Sequence, residues 1–275
     1  MDRITSHGMN MPRLGLGTWP MKGAECTRAV ESALGMGYRH IDTAQMYGNE
    51  AEVGAALGGS GLARGDIHVT TKVWWDQLAP DAMRRAMESS LQKLGTDYVD
   101  LYLIHWPAAD MDLPAAIATL VRLREEGLAR AIGVSNFPVA LMRRAVEELG
   151  APIAANQVEY HAMLDQTPVL DYARRHDVAL IAYAPTARGA VADEPALRSV
   201  AERHNASPVQ IALAWLLDQP GVVAIPKAST EANQRANLEA SRIRLDDTDR
   251  AAIAGAPKDR RGVNPEFAPA WDKAA

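Results

Sequence analysis

Strand-like and helix-like segments alternate eight times along this chain, a pattern that few folds accommodate. The strand-like runs are LGLGTW, RHIDTA, IHVTTK, VDLYLIHW, RAIGVSN, IAANQVEY, ALIAYAP and VVAIPK. Between them lie segments such as ECTRAVESALGMG, PDAMRRAMESSLQKLG and FPVALMRRAVEELG, whose apolar residues recur three and four apart, the spacing of one helix face. Helix ends are marked too: Asn49 with Glu52 reads as a cap with its box partner, and Ser207-Pro208 puts proline at a first helical position. Gly95, Gly127 and Gly150 read as C-terminal stops. Parallel strands joined by helical crossovers satisfy this alternation, and eight such units close into an α/β (β/α)8 barrel.

An open doubly wound sheet would carry a G-x-G-x-x-G turn between its first strand and helix. Here Gly15 and Gly17 are followed by Thr18, Trp19 and Pro20, and the proline does not continue into such a helix. The segment from Ser207 to Trp215 and the stretch DDTDRAAIAGA fall outside the eightfold pattern and read as added helices. The proline-rich tail RGVNPEFAPAWDKAA is expected to loop over the active-site end.

The 275 residues contain no linker-like stretch, which favours one domain over residues 1–275. With net charge −5 and scattered basic residues, neither nucleic acid nor an anionic membrane is an expected partner. No apolar run approaches the roughly 20 residues of a membrane span, and the start MDRITSHGMNMPRLGLG lacks a signal peptide's apolar core. A cytoplasmic protein is expected, in keeping with the lone Cys26.

In such barrels chemistry gathers where strands end. There the second strand ends in Asp42 with Tyr47 five residues on, the third ends in Lys72 and the fourth in His105-Trp106-Pro107. The fifth strand ends in Ser135-Asn136, the sixth carries Asn156-Gln157, the seventh ends in Tyr183 and the eighth in Lys227. Singly, each has an ordinary structural explanation: a cap, a loop anchor, a surface charge, a core histidine. One catalytic site accounts for Asp42, Tyr47, Lys72 and His105 together. A tyrosine is a poor acid or base at neutral pH unless its phenolate is stabilised, and Lys72, held charged by Asp42, is expected to lower the Tyr47 pKa. His105 is placed to donate a hydrogen bond to a substrate oxygen. No metal is implied, because His105 lacks partners at ligand spacing.

A tyrosine acid supplies only a proton, so the electrons must come from a cofactor, and hydride from a nicotinamide is the usual source. Ser135, Asn136 and Gln157 suit a carboxamide, Tyr183 a ring face, and Lys227 with Ser229, Thr230 and Arg235 suits phosphates. A simple helix cap competes for Ser135-Asn136.

These residues resemble the aldo-keto reductase family, from about Leu14 onward. GLGTW, RHIDTAQMYGNEAEVG, TTKVWWDQ, DYVDLYLIHWP, RAIGVSNF, NQVEYH and VVAIPKAST occur in family order. The resemblance implies a catalytic tetrad of Asp42, Tyr47, Lys72 and His105 with Tyr47 as proton donor. It implies substrate contacts at Trp19, Tyr47, Trp74, His105, Trp106 and Trp271. It implies NADP(H) held by Thr18, Trp19, Asp42, Ser135, Asn136, Gln157, Tyr183, Pro185, Lys227, Ser229, Thr230, Asn233 and Asn237. The ending PEFAPAWD is similar to the bacterial 2,5-diketo-D-gluconate reductase branch, whose members also reduce methylglyoxal and other small carbonyl compounds. A small-molecule carbonyl substrate and a monomer are the family's usual features.

The segment that reads the adenosine 2′-phosphate departs from the family pattern. Lys227 is kept, but Ala228, Asn233 and Ala236 stand where the family has Ser, Arg and Glu. Arg235 lies two residues past Asn233, about 200° away around a helix. Loss of one charged contact costs roughly 1.5 to 3 kcal/mol, enough to admit NAD(H) beside NADP(H). Two other readings are a nucleotide-binding regulatory subunit with little turnover, like the family's potassium-channel β-subunits, and an aldolase using Lys72 as a Schiff base. The intact tetrad argues against the first.

Overall fold

The computed structural model describes residues 2–273. The chain opens with a hairpin, β1 (Arg3–Ser6) and β2 (Met9–Pro12). Eight parallel strands follow: β3 (Leu16–Gly17), β4 (His40–Asp42), β5 (His68–Val73), β6 (Val99–Ile104), β7 (Ala129–Ser135), β8 (Ile153–Glu159), β9 (Ala179–Tyr183) and β10 (Val222–Ala224). Each pairs with its neighbour in sequence, and bridges Leu14 to Ala224 and Gly17 to Lys227 join the first strand to the last. Gly15 N donates to Ala224 O at 2.9 Å and Gly17 N to Pro226 O at 3.1 Å. The expected (β/α)8 barrel is therefore closed.

Helices α1 (Gly23–Gly35), α2 (Glu50–Gly59), α3 (Pro80–Leu94), α4 (Leu113–Glu125), α5 (Val139–Arg143, continued by a π turn over Arg144–Glu148) and α6 (Thr167–Arg175) connect successive strands. Between β9 and β10 lie α7 (Pro195–His204) and α8 (Pro208–Asp218), and α9 (Glu231–Ala240) and α10 (Asp247–Ala254) come last. Strand side chains alternate between two cores. Tyr102, Ile104, Leu180 and Ala182 face the helices, whereas Leu101, Leu103, Ala179, Ile181 and Val223 fill the lumen. The hairpin, which the sequence pattern did not reveal, plugs the lumen from the end opposite the site: Met9 and Met11 join the inner cluster, and Ser6 Oγ donates to Ala154 O at 2.8 Å.

Several local expectations hold. Ser207 and Gln210 form a reciprocal capping box before α8, with Pro208 in its first turn, and Gly95 ends α3 in the left-handed conformation. Gly127 and Gly150 take positive φ just after α4 and the π turn. Others need correction. Asn49 precedes α2, but its side chain makes no cap bond, because it is spent elsewhere as described below. The segment from Ser207 is no appendage either: α8 packs on β10 and α9 through Leu213 and Leu216, so it is the crossover helix. The added helices are α7 and α10, which pack on each other, and α7 also covers the outer face of α8, in a cluster that includes Leu197, Val200, Ile211 and Ile253. A helix buried on both faces loses its amphipathic signature, which is why α8 misled the pattern.

Candidate active site

Asp42 and Lys72 point into the lumen from neighbouring strands, where both are essentially excluded from solvent. Lys72 Nζ donates to Asp42 Oδ1 at 2.6 Å and to Thr43 O at 2.8 Å, and it lies 3.4 Å from Tyr47 Oη. Gln157 Nε2 donates to Asp42 Oδ2 at 2.7 Å, so both carboxylate oxygens are occupied. Tyr47 sits on a 3₁₀ turn over Gln45–Tyr47, which Gly48 ends with φ 58°. Asn49 fixes that loop: it accepts from Thr43 Oγ1 at 2.7 Å and donates to Thr18 O and Met21 O at 3.2 and 3.0 Å. Lys22 Nζ adds a bond to Tyr47 O. Sequence reading saw in Asn49 only a helix cap and gave Lys22 no role.

His105 follows β6 by one residue rather than ending it, and its ring stands edge-on to Tyr47 and Trp74, with centroids 5.5 and 5.0 Å away. Its Nδ1 is buried without a hydrogen-bond partner. Burial pushes the His105 pKa well below the ordinary value, and Lys72 adds to the effect, leaving a neutral imidazole. Burial also draws Lys72 down and Asp42 up, each opposed by the other's charge. The expected lowering of the Tyr47 pKa is not what the surroundings produce. Burial, helped by Asp42, raises it well above 10. The main reason is that Tyr47 is buried, which disfavours the phenolate, and the Asp42 carboxylate, held 2.6 Å from the Lys72 ammonium, adds to the rise.

Trp19 lies against Tyr47 with centroids 5.2 Å apart, and it is 47 % exposed. The tail crosses this end as expected. Phe267 contacts Trp74, Trp75 and Trp106 at 5.9, 5.3 and 5.6 Å between centroids, and Trp271 meets Trp106 at 5.9 Å. Phe267 and Trp75 were not singled out in the sequence, although Phe267 is one of two phenylalanines in the chain and sits among prolines.

The proposed nucleotide residues form two groups. In the first, Asn136 has φ 61°; its Nδ2 donates to His105 O at 3.0 Å and its Oδ1 accepts from Tyr183 Oη at 2.9 Å. Ser135 Oγ donates to Gln157 O at 2.7 Å, so the pair knits three strand ends together. Asn156 turns away, donating to Phe137 O at 2.9 Å. In the second group, Lys227 lies three residues past β10, with Nζ 3.1 Å from Ser229 Oγ and 4.0 Å from Glu25. Thr230 caps α9, Asn233 and Arg235 are exposed, and Asn237 is buried beside Tyr38. Thr18 Oγ1 donates to Asp42 O at 3.0 Å. Pro185 is buried in a loop where Ala184, Ala187, Arg188 and Gly189 all have positive φ.

Residues 13–257 match the model of the aldo/keto reductase family. The chain belongs to the aldo/keto reductase family. Methylglyoxal reductase DkgB of Escherichia coli O157:H7 is 40 % identical over 268 residues, covering 96 % of this chain and 100 % of that protein. Methylglyoxal reductase DkgA of Yersinia pestis is 41 % identical over 264 residues, 94 % of each chain. Among solved structures, one described as a 2,5-diketo-D-gluconic acid reductase B superimposes with TM-score 0.96 at 44 % identity, covering 99 % of this chain and 98 % of that one. The aldose reductase of Schistosoma japonicum superimposes with TM-score 0.94 at 29 % identity over the whole of both chains. This aldo/keto reductase is an enzyme of the oxidoreductase class. No helix among its described residues is long and apolar enough to cross a membrane.

Proposed function

We propose that this reductase reduces small aldehydes and ketones to alcohols with NADPH, and that Tyr47 donates the proton. The observation that carries this reading is the Tyr47–Lys72–Asp42 chain, with distances of 3.4 and 2.6 Å, beside a neutral His105. A nicotinamide nucleotide supplies the hydride. The raised Tyr47 pKa keeps the phenol protonated at neutral pH, which is the form a proton donor needs. As the Tyr47 proton passes to the carbonyl oxygen, the Lys72 ammonium lies close enough to stabilise the phenolate left behind, and a neutral His105 has one N–H to donate to that oxygen. Lys72 is bound to two acceptors and fully buried, which suits a fixed ammonium better than a Schiff-base nucleophile.

The donor set fits a nucleotide. Tyr183 presents a ring beside Asn136 and Ser135, held by its hydrogen bond to Asn136 Oδ1 at 2.9 Å. The ten-residue helix α9 presents its N-terminus beside Lys227, Ser229 and Thr230, an arrangement that favours a phosphate. Asn233 replaces a cation there and Glu25 stands beside Lys227, so NADH is expected to bind with modestly weaker affinity. Trp19, Trp74, Trp106, Phe267 and Trp271 make a narrow aromatic mouth suited to a small carbonyl compound. Methylglyoxal is the first substrate to try, since that is the activity named for the DkgB and DkgA relatives. A cytoplasmic monomer completes the reading. The test is fluorescence titration with NADPH and NADH, then nicotinamide absorbance with methylglyoxal and a diketo sugar acid. Binding with turnover is expected; binding without turnover on any carbonyl would favour a regulatory role, and no binding would end the proposal.

A further inference from the structure

Glu159 is the last residue of β8, two positions beyond Gln157, and its carboxylate is 1 % exposed. Both oxygens face the C-terminal segment. Oε1 accepts from Gly262 N at 2.8 Å and Oε2 from Val263 N at 2.9 Å, while His161 Nε2 lies 3.3 Å from Oε1. A carboxylate shared between two consecutive amides fixes both the position and the direction of the chain it holds. The close approach favours a glycine, because a Cβ on Gly262 would stand 3.0 Å from Glu159 Oε1 and push the carboxylate back by a few tenths of an ångström. Burial opposes the charge, yet the bonds from His161, Gly262 and Val263 prevail and hold the carboxyl below its usual range. No hydrogen bond among the described residues joins this carboxylate to Asp42, Tyr47, Lys72 or His105.

The segment has a second anchor, where Asp272 Oδ2 accepts from Val139 N at 2.9 Å. Phe267 and Trp271 lie between the anchors and reach Trp74, Trp75 and Trp106 across the mouth. Arg260 N donates to Met163 O just before the latch and Trp271 Nε1 to Asn264 Oδ1 within the strap, while the two carboxylates tie the exposed backbone on either side of Phe267 and Trp271 to the barrel.

We propose that Glu159 is a positioning residue that sets substrate preference: its carboxylate latches the strap so that Phe267 and Trp271 narrow the site to small carbonyl compounds. The proposal rests on the reductase reading. Glu159→Gln turns an amide N–H₂ toward one strap N–H. Amide exchange at Gly262 and Val263 is then expected to accelerate by about tenfold or more. KM for methylglyoxal rises about tenfold while kcat falls less than about threefold, and kcat/KM for benzaldehyde, a bulkier aldehyde, rises relative to methylglyoxal. In a Phe267→Ala background the same change moves KM by less than about twofold, because both act on one strap. Val263→Pro, which removes a donor from the strap side, moves KM in the same direction and serves if Glu159→Gln does not fold. Unchanged amide exchange, a kcat collapse with KM unmoved, or full additivity with Phe267→Ala would overturn the latch. Absence of wild-type turnover on every carbonyl would instead defeat the reductase reading, and the substrate-preference claim with it, while normal exchange protection at Gly262 and Val263 would identify that failure as distinct from a missing latch.

Discussion

At the residue scale the account turns on which protonation states the buried site maintains. Burial and Asp42 hold the Tyr47 phenol well above its ordinary pKa, and burial keeps His105 neutral. The proton donor is therefore loaded throughout the neutral range. For a group whose acid form is active, activity persists below the pKa and falls above it. The kcat for carbonyl reduction is accordingly expected to stay level from about pH 6 to about pH 9, with its alkaline fall beyond the ordinary tyrosine value of about 10. Rate profiles of kcat against pH check this, and a fall centred near neutrality would mean that Lys72 does lower the phenol as the sequence alone suggested. That suggestion followed from residue types without distances. Burial of the phenol, with the nearby Asp42 carboxylate, reverses it.

At the scale of elements, the lumen is packed so tightly that some strand positions admit only glycine. Gly133 on β7 faces a bulge in β8, where Ile132 pairs with Ile153 but Gly133 with Ala155, so that Ala154 is the extra residue. A Cβ on Gly133 would lie 2.5 Å from Ala155 O and 2.7 Å from Leu103 Cδ2. Gly133→Ala should therefore destabilise the protein by about 1–3 kcal/mol, read as a lower denaturant midpoint at unchanged slope. An unaltered midpoint would show that the strands can part without cost. The helix α3 was legible because burial on one face leaves a 3.6-residue period, and the strands because burial on both faces leaves short, nearly continuous apolar runs between the helical segments. The hairpin β1–β2 was not, since four-residue strands joined by His7 and Gly8, both at positive φ, lack the Asn-Gly signature of such turns. The positions of Asp42, Lys72 and His105 were legible because parallel strands aim their ends at one face. The roles of Asn49 and Glu159 were not, because their partners lie in distant loops.

For the molecule as a whole, the end of the barrel opposite the site carries a pH dependence of its own. His40 and His68 are buried in the lumen, 5.0 Å apart between ring centroids. Burial, joined by repulsion from His68, puts the His40 pKa well below the usual value. Burial, joined by Arg3 and Arg64, pulls His68 down to about 3. The unfolded chain binds protons at these rings near pH 6.5 while the folded one resists. Their contribution to stability is thus present above about pH 6.5 and lost progressively as pH falls toward about 3. Unfolding free energy measured against pH should fall across that window, less steeply in His68→Asn. Equal slopes would show that other groups govern acid unfolding.

The central claim, that Tyr47 gives the proton in a nicotinamide-dependent reduction, meets its most direct test in Tyr47→Phe, assayed for methylglyoxal turnover and for NADPH affinity by tryptophan fluorescence. The account predicts a loss of turnover of about 10²- to 10⁴-fold with NADPH affinity changed by less than about twofold. Near-normal turnover, or a matching loss of nucleotide affinity, would contradict it.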